Sequence, residues 1–81
     1  MIANLVIEQI TLQLDSKSVE VAENKLLKED LGLPSIKLIM ILTNLTSQLN
    51  ISIIDFSDYE LLRLKSVGDL INLLTIKTKI L

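Results

Sequence analysis

The chain contains no cysteine and no histidine, and its aromatic residues are Phe56 and Tyr59. Without cysteine it can form neither a disulfide nor a thiolate metal site. Without histidine, a Ser-His-Asp triad, a Cys-His pair, histidine acid–base chemistry and the common zinc sites are excluded. The spacing of the acidic residues suggests neither a carboxylate pair nor a calcium loop. We therefore expect no metal site and no enzyme activity.

Charge is also sparse. Eight basic and ten acidic residues give a net charge of −2, which offers no basic surface for nucleic acid or for an anionic membrane. The longest uncharged stretch, 38–54, is shorter than the roughly 20 residues of a membrane span and is rich in polar residues. The N-terminus lacks the basic start and cleavage site of a signal peptide. We expect a cytoplasmic protein that does not span a membrane.

What the chain has in abundance is aliphatic side chains, since 49% of its residues are hydrophobic. Eighty-one residues make one domain, 1–81. Apolar spacing predicts helices at about 2–14, 34–49, 57–63 and 66–78. Because no useful strand pattern is present, we predict an all-α fold, a small four-helix bundle with a long loop between helices 1 and 2 and a short helix 3.

The predicted helix starts carry serines. Segments 57–60 and 66–69 are capping boxes, in which a serine and an acidic residue three positions later bond each other's backbone amides. Pro34 and Ser35 also predict a helix start, with Ser35 as a suitable N-cap residue. On residues alone, Ser35 is most simply such a cap.

The second predicted helix is apolar almost all the way round, so its core face is inferred from spacing. We expect Ile36 and Met40 on the outer face. The side chains predicted to face the core are Ile39, Leu42, Leu45 and Leu49, flanked by Leu38 and Ile41, and in the last helix Val67, Leu70, Ile71 and Leu74. The long loop should be pinned by Val19, Val21, Leu26, Leu27 and Leu31. Segment 51–54 should be pinned by its isoleucines.

Residues 29–36 read EDLGLPSI, and residues 64–74 read LKSVGDLINLL. With the helix pattern, these stretches make the chain resemble the acyl carrier proteins over nearly its whole length. The family signature is Asp-Leu-Gly, one residue, then Asp-Ser-Leu. Here Asp30, Leu31 and Gly32 match, Ser35 stands at the modified serine, and Ile36 replaces the leucine. The resemblance implies that Ser35 carries 4′-phosphopantetheine, donated by coenzyme A, whose thiol holds acyl groups as thioesters.

Two departures from the family pattern concern recognition. Pro34 stands where the family has an aspartate that the modifying enzyme reads, so we predict a dedicated or permissive phosphopantetheinyl transferase. The second helix has no acidic residue, and Lys37 is its single charge, so we predict mainly apolar docking of partner enzymes. The predicted partner-binding residues are Leu33, Pro34, Ile36, Lys37 and Met40. Leu38 could equally belong to the core.

Several functions remain open at this point. The resemblance implies ketosynthase, acyltransferase and other synthase enzymes as partners. The LKSVGDLI ending looks like polyketide-type carriers, which favours a stand-alone carrier of a dissociated, type II polyketide synthase. Fatty-acid and aminoacyl or peptidyl carriers share the same outline. The alternative from another class is an unmodified helical interaction module whose apolar outer face is a permanent subunit interface.

Overall fold

The computed structural model describes residues 2–14 and 20–80 of the chain. It contains four α-helices: α1 (Ile2–Gln13), α2 (Ser35–Gln48), α3 (Asp58–Leu62) and α4 (Val67–Ile80). A 3-10 turn, Ile53–Asp55, precedes α3. No strand occurs in these two ranges. The all-α prediction is confirmed, and every helix begins and ends within two residues of its predicted bounds. None of the helices described is long and apolar enough to cross a membrane.

The core lies where α1 packs against both α2 and α4. Val6 and Ile10 of α1 are completely buried, as expected for positions four apart on one helix face. The long loop adds Leu27, Leu31 and Leu33 to the same cluster. The four predicted core residues of α4 are all buried: Val67, Leu70, Ile71 and Leu74.

The buried face of α2 differs from the prediction at one position. Ile39 is 58% exposed, so its assignment to the core was wrong, whereas Ile41 is fully buried. The side chains that face inward are the buried Ile41, Leu42 and Leu45 with the half-buried Leu38 and Leu49. These positions recur every three or four residues, and Ile39 falls outside that series, about 100° around the helix from its neighbour Leu38.

The long loop is held on the body of the protein by backbone hydrogen bonds. Leu27 N donates to Lys65 O at 2.8 Å, and Val67 N donates to Lys25 O at 3.0 Å. Leu26 and Ser66 form an isolated antiparallel bridge between these bonds. The loop is therefore joined to the start of α4.

The predicted apolar pins of the loop are largely confirmed. Leu27 and Leu31 are buried, and Val21 and Leu26 are half-buried. Val19 lies outside the described residues.

The isoleucines of segment 51–54 are less buried than predicted. Ile51 is half-buried, but Ile53 and Ile54 are exposed, Ile54 by 87%. The assignment of these two as pins was wrong, because the 3-10 turn directs them to solvent. The buried ring of Phe56 anchors this segment.

None of the residues of α3 is buried, and a polar clamp on α4 holds it in place. Lys77 Nζ lies 3.0 Å from Glu60 Oε1 and donates to Asp55 O at 2.9 Å. The same ammonium lies 5.5 Å from the centre of the Phe56 ring. Lys77 thus ties both the 3-10 turn and α3 to α4.

Candidate functional site

The Asp30-Leu31-Gly32 segment forms the turn that leads into α2. Asp30 Oδ2 accepts a hydrogen bond from Leu26 N at 2.8 Å, which closes the turn on itself. Leu31 is buried, and Gly32 has a φ of +64°. Glycine adopts this left-handed conformation without the steric cost that other residues meet. The segment therefore forms a tight turn, which directs the chain to the first residue of α2.

Pro34, not Ser35, is the N-cap of α2. Its backbone is extended, with φ −71° and ψ 162°, and its carbonyl accepts from Lys37 N and Leu38 N. Ser35 is the first helical residue, so the prediction that it caps the helix was wrong. A cap uses its side-chain oxygen to accept from the first amides of the helix. The Ser35 hydroxyl has no hydrogen-bond partner among the described residues.

The start of α2 also leaves backbone donors free. Within the described ranges, the amides of Ser35 and Ile36 donate to no backbone carbonyl. Such amides, together with the helix dipole, favour an anion at a helix N-terminus. The first turn of α2 contains no acidic residue that would repel one. An exposed hydroxyl beside two free amides therefore fits a phosphodiester esterified at Ser35 Oγ.

Ser35 lies in the wall of a cavity of about 540 Å³ between α2, α3, the long loop and α4. The remainder of the wall is mostly aliphatic: Leu27, Leu38, Ile39, Leu42, Leu61, Leu62, Leu64 and Leu70. Its charged members, Lys28, Glu29, Asp58 and Lys65, are all exposed. The volume is in the range of sites that hold small organic ligands. The cavity thus has an apolar interior, a polar rim and a hydroxyl at its edge.

An exposed apolar stripe lies on α2 beside this cavity. We define the α2 stripe as Ile36, Ile39 and Met40, which are 67%, 58% and 47% exposed. Exposure of Ile36 and Met40 confirms the sequence prediction. Ile39 was missed, although it follows Ile36 by three positions, the spacing that places two residues on one helix face.

The other predicted partner-binding residues differ in accessibility. Pro34 is exposed. Leu33 is only 2% exposed and packs in the core, so its assignment to a docking surface was wrong. Lys37 is half-buried, and its Nζ donates to Gln13 O at 2.9 Å. Lys37 therefore already binds the end of α1. Leu38 is half-buried and lines the cavity.

The carboxylates of the two capping boxes have altered pKa values. The Ser57 amide donates to Glu60 and, with the Lys77 ammonium, lowers the pKa of that carboxyl. The Ser66 amide, helped by the Lys65 amide, lowers the pKa of Asp69. Both carboxylates are thus held ionised by backbone donors at a helix start. They stabilise the starts of α3 and α4.

The cavity wall was also missed by sequence reasoning. Leu61 and Leu62 of α3 contribute to it, although the sequence predicts α3 only as a short connecting helix. The wall residues come from four separate segments, and the residue spacing within one segment cannot predict that these segments come together.

No family model, curated protein or solved structure matches the chain. The chemistry of the site therefore rests on its own geometry and on the sequence motifs.

Proposed function

We propose that the chain is an acyl carrier protein. It holds acyl groups as thioesters on a 4′-phosphopantetheine arm esterified to Ser35 and presents them to separate synthase enzymes, without catalysing a reaction itself. The observation that carries the proposal is that the Ser35 hydroxyl is exposed, takes no part in capping, and lies at the edge of an apolar cavity. The resemblance of residues 29–36 to the family signature supports it.

Each part of the site has a role in this function. The Ser35 hydroxyl is the acceptor of the prosthetic group. The free amides of Ser35 and Ile36 favour the negative charge of the phosphodiester. Once attached, the group supplies the thiol that forms the thioester, so a carrier needs no cysteine or histidine of its own.

Recognition by partners would depend on the α2 stripe and on Pro34. Because α2 carries no acidic residue, a partner gains little from basic residues aimed at this helix, and burial of Ile36, Ile39 and Met40 must supply the contact energy. Affinity for a ketosynthase, an acyltransferase or the transferase should therefore change little with salt. A steep loss of affinity between low and high salt would contradict apolar docking.

Intact mass spectrometry of the protein expressed with its neighbouring genes tests the function. The wild type should gain the mass of one phosphopantetheine group, and Ser35→Ala should show the unmodified mass. Ser47→Ala, which changes another exposed serine on α2, is the matched control and should be modified as the wild type is. A group that persists in Ser35→Ala would refute the attachment site.

The choice of transferase is a separate prediction. With Pro34 in place of the family's aspartate, a broad-specificity phosphopantetheinyl transferase should modify the purified protein incompletely or slowly. Restoring the carboxylate with Pro34→Asp should speed the conversion. Rapid and complete conversion of the wild type would show that no dedicated enzyme is needed.

The α2 stripe also favours a second candidate function, an unmodified helical module that uses this stripe as a permanent subunit interface. Contiguous exposed apolar residues of this kind mark interaction surfaces. Under this alternative, the protein isolated from its own host would show only its unmodified mass and would copurify with one subunit. Ile39→Ser would then release that subunit.

A further inference from the structure

We propose that the chain associates with a second copy of itself through α2, as an antiparallel dimer in which the exposed faces of the two helices pack together. The contact is made by four residues that we call the α2 seam: Ile36, Met40, Thr43 and Ser47. Such a dimer goes beyond the proposed function, because it requires neither the prosthetic group nor a synthase enzyme.

The α2 seam lies on the side of the helix that faces away from the core, and all four of its side chains are exposed. They follow one another at spacings of four, three and four residues. At 3.6 residues per turn they fall within about 60° of one another, and about 180° from the buried Ile41, Leu42 and Leu45. Two packed helices in a coiled coil contact each other along the same spacing.

The α2 seam has two large side chains at its start and two small ones at its end. In an antiparallel pair centred between Met40 and Thr43, Ile36 of one copy faces Ser47 of the other, and Met40 faces Thr43. Each large side chain then meets a small one, the arrangement that lets facing layers interdigitate. A parallel pair would place Ile36 against Ile36 and leave space between the two copies of Ser47. The pattern of sizes therefore favours the antiparallel dimer.

Charge does not oppose this contact. Lys37 is the single charged residue of α2, and its Nζ donates to Gln13 O at 2.9 Å, which directs it towards α1. The Thr43 hydroxyl donates to Ile39 O at 2.8 Å, so burial of Thr43 leaves no donor without a partner. The dipoles of two antiparallel helices also attract each other. The exposed face of α2 can thus meet its copy without repulsion between like charges.

The exposed apolar area indicates a weak, reversible dimer. The bond from Ile51 N to Thr46 O at 2.9 Å holds the 3-10 turn at the end of α2. Antiparallel pairing brings that end, with the exposed Ile53 and Ile54, towards the start of the second α2. At about 100 Å² for each large side chain, these two and the α2 stripe offer about 500 Å² per copy. Two copies then bury about 1,000 Å², the size of transient complexes.

Dimerisation competes with the docking of other proteins on α2. Ile36 and Met40 belong both to the α2 seam and to the α2 stripe. A ketosynthase or a transferase that docks on the stripe must therefore displace the second copy first. The concentration of the chain then determines how much of it is available to these partners.

Sedimentation equilibrium of the purified protein tests the dimer. The average mass should be 9.1 kDa at about 10 µM and approach twice that value at about 1 mM, as expected for a contact of this size. Met40→Glu brings two carboxylates together at the centre of the contact and should remain monomeric at the higher concentration. Ile76→Glu, which changes an exposed isoleucine on α4, is the matched control and should dimerise as the wild type does.

The absence of cysteine from the natural chain allows the orientation to be tested as well. In the antiparallel pair, residue 36 faces residue 47 of the second copy, whereas the two copies of residue 36 lie about 16 Å apart along the helix axis. A disulfide requires Cα atoms within about 7 Å. With oxidised glutathione as the electron acceptor, Ile36→Cys should form a disulfide with Ser47→Cys several-fold faster than with itself.

Several results would overturn the dimer. They are a wild type that stays monomeric at the higher concentration, a Met40→Glu variant that dimerises normally, and an Ile76→Glu variant that does not. Faster pairing of Ile36→Cys with itself than with Ser47→Cys would exclude the antiparallel arrangement. Failure of the proposed function has a different signature, because it leaves Ser35 unmodified in the mass spectrum and does not change the sedimentation result.

Discussion

The start of α2 and the starts of the later elements use serine in opposite ways. At the 3-10 turn, α3 and α4, a serine hydroxyl accepts a backbone amide, at 3.2 Å from Ile54 N, 3.1 Å from Glu60 N and 3.1 Å from Asp69 N. At each of these starts, an acidic side chain three residues later accepts a hydrogen bond from the backbone amide of the serine. Ser35 enters no such exchange within the described part of the chain.

The difference distinguishes a serine whose hydroxyl is free to react from one whose hydroxyl is engaged in capping a helix. A hydroxyl that accepts a backbone amide contributes to the stability of its helix start, whereas the Ser35 hydroxyl makes no such bond. Three residues after Ser35 the chain has Leu38, so no carboxylate is present to complete a box. Pro34 takes the cap position and leaves the hydroxyl of the next residue available. The comparison can be tested at both kinds of helix start.

The largest effect is expected at the start of α4. Asp69→Ala removes the carboxylate oxygen that accepts from the amides of Lys65 and Ser66 at 3.1 and 3.0 Å. The free energy of unfolding should fall by about 1 to 2 kcal/mol in chemical denaturation. Glu29→Ala, at an exposed acidic position, should change it by less than about 0.5 kcal/mol. Equal losses of unfolding free energy in the two variants would show that the capping box at the start of α4 does not stabilise the fold.

A somewhat smaller effect is expected where α3 is held to α4. Lys77→Met keeps most of the apolar stem but removes the ammonium that contacts Glu60 and Asp55 O. Because none of the residues of α3 is buried, its amides should exchange with solvent several-fold faster, which hydrogen exchange can measure. Lys79→Met, an exposed lysine in the same last turn, is the control. Unchanged exchange in α3 would mean that other contacts hold it.

The pH dependence of stability should follow the capping carboxylates. Backbone donors lower the folded-state pKa of Glu60 and of Asp69 below their ordinary values of 4.5 and 3.8. Their contribution is complete above those values and is lost as the pH falls through the lowered folded-state pKa values. The Tm should therefore decrease on acidification below about pH 4.5, and less steeply in Asp69→Asn. If the Tm of Asp69→Asn falls as steeply with acidification as that of the wild type, carboxylates other than Asp69 cause the loss of stability.

The smallest effect is expected at Ser35 itself. Ser35→Ala should change the free energy of unfolding by less than about 0.5 kcal/mol, because no hydrogen bond within the described chain is lost. Ser57→Ala, its match at a capped start, should cost about 1 kcal/mol. Both can be measured by urea denaturation of the unmodified protein. A cost of about 1 kcal/mol at Ser35 would show that its hydroxyl caps α2 and would remove the distinction.

The sequence predicts features that depend on neighbouring residues. The boxes at 57–60 and 66–69 are present, because each is complete within four residues. Gly32 and Asn50, which flank α2, have φ values of 64° and 59°, and glycine and asparagine adopt this conformation more readily than most residues. The helices follow in order from their apolar spacing.

The features that the sequence did not predict depend on packing between segments that are distant in the chain. An almost uniformly apolar α2 does not reveal which face is buried, so Ile39 was assigned inward. The direction of the Leu33 side chain depends on how the loop crosses the core. Ile53 and Ile54 face solvent because the 3-10 turn sets their direction. The cavity is lined by residues of α2, α3, the loop and α4, which are distant from one another in the sequence.

The joining of the long loop to the start of α4 has a consequence for folding. The bonds from Leu27 N to Lys65 O and from Gly68 N to Glu23 O link residues far apart in the chain. Such contacts require closure of a long segment, which slows their formation relative to the helices. The turn before Ser35 depends on this loop through the bond from Leu33 N to Leu27 O at 3.0 Å. Ser35 should therefore reach its final surroundings only after the helices have formed.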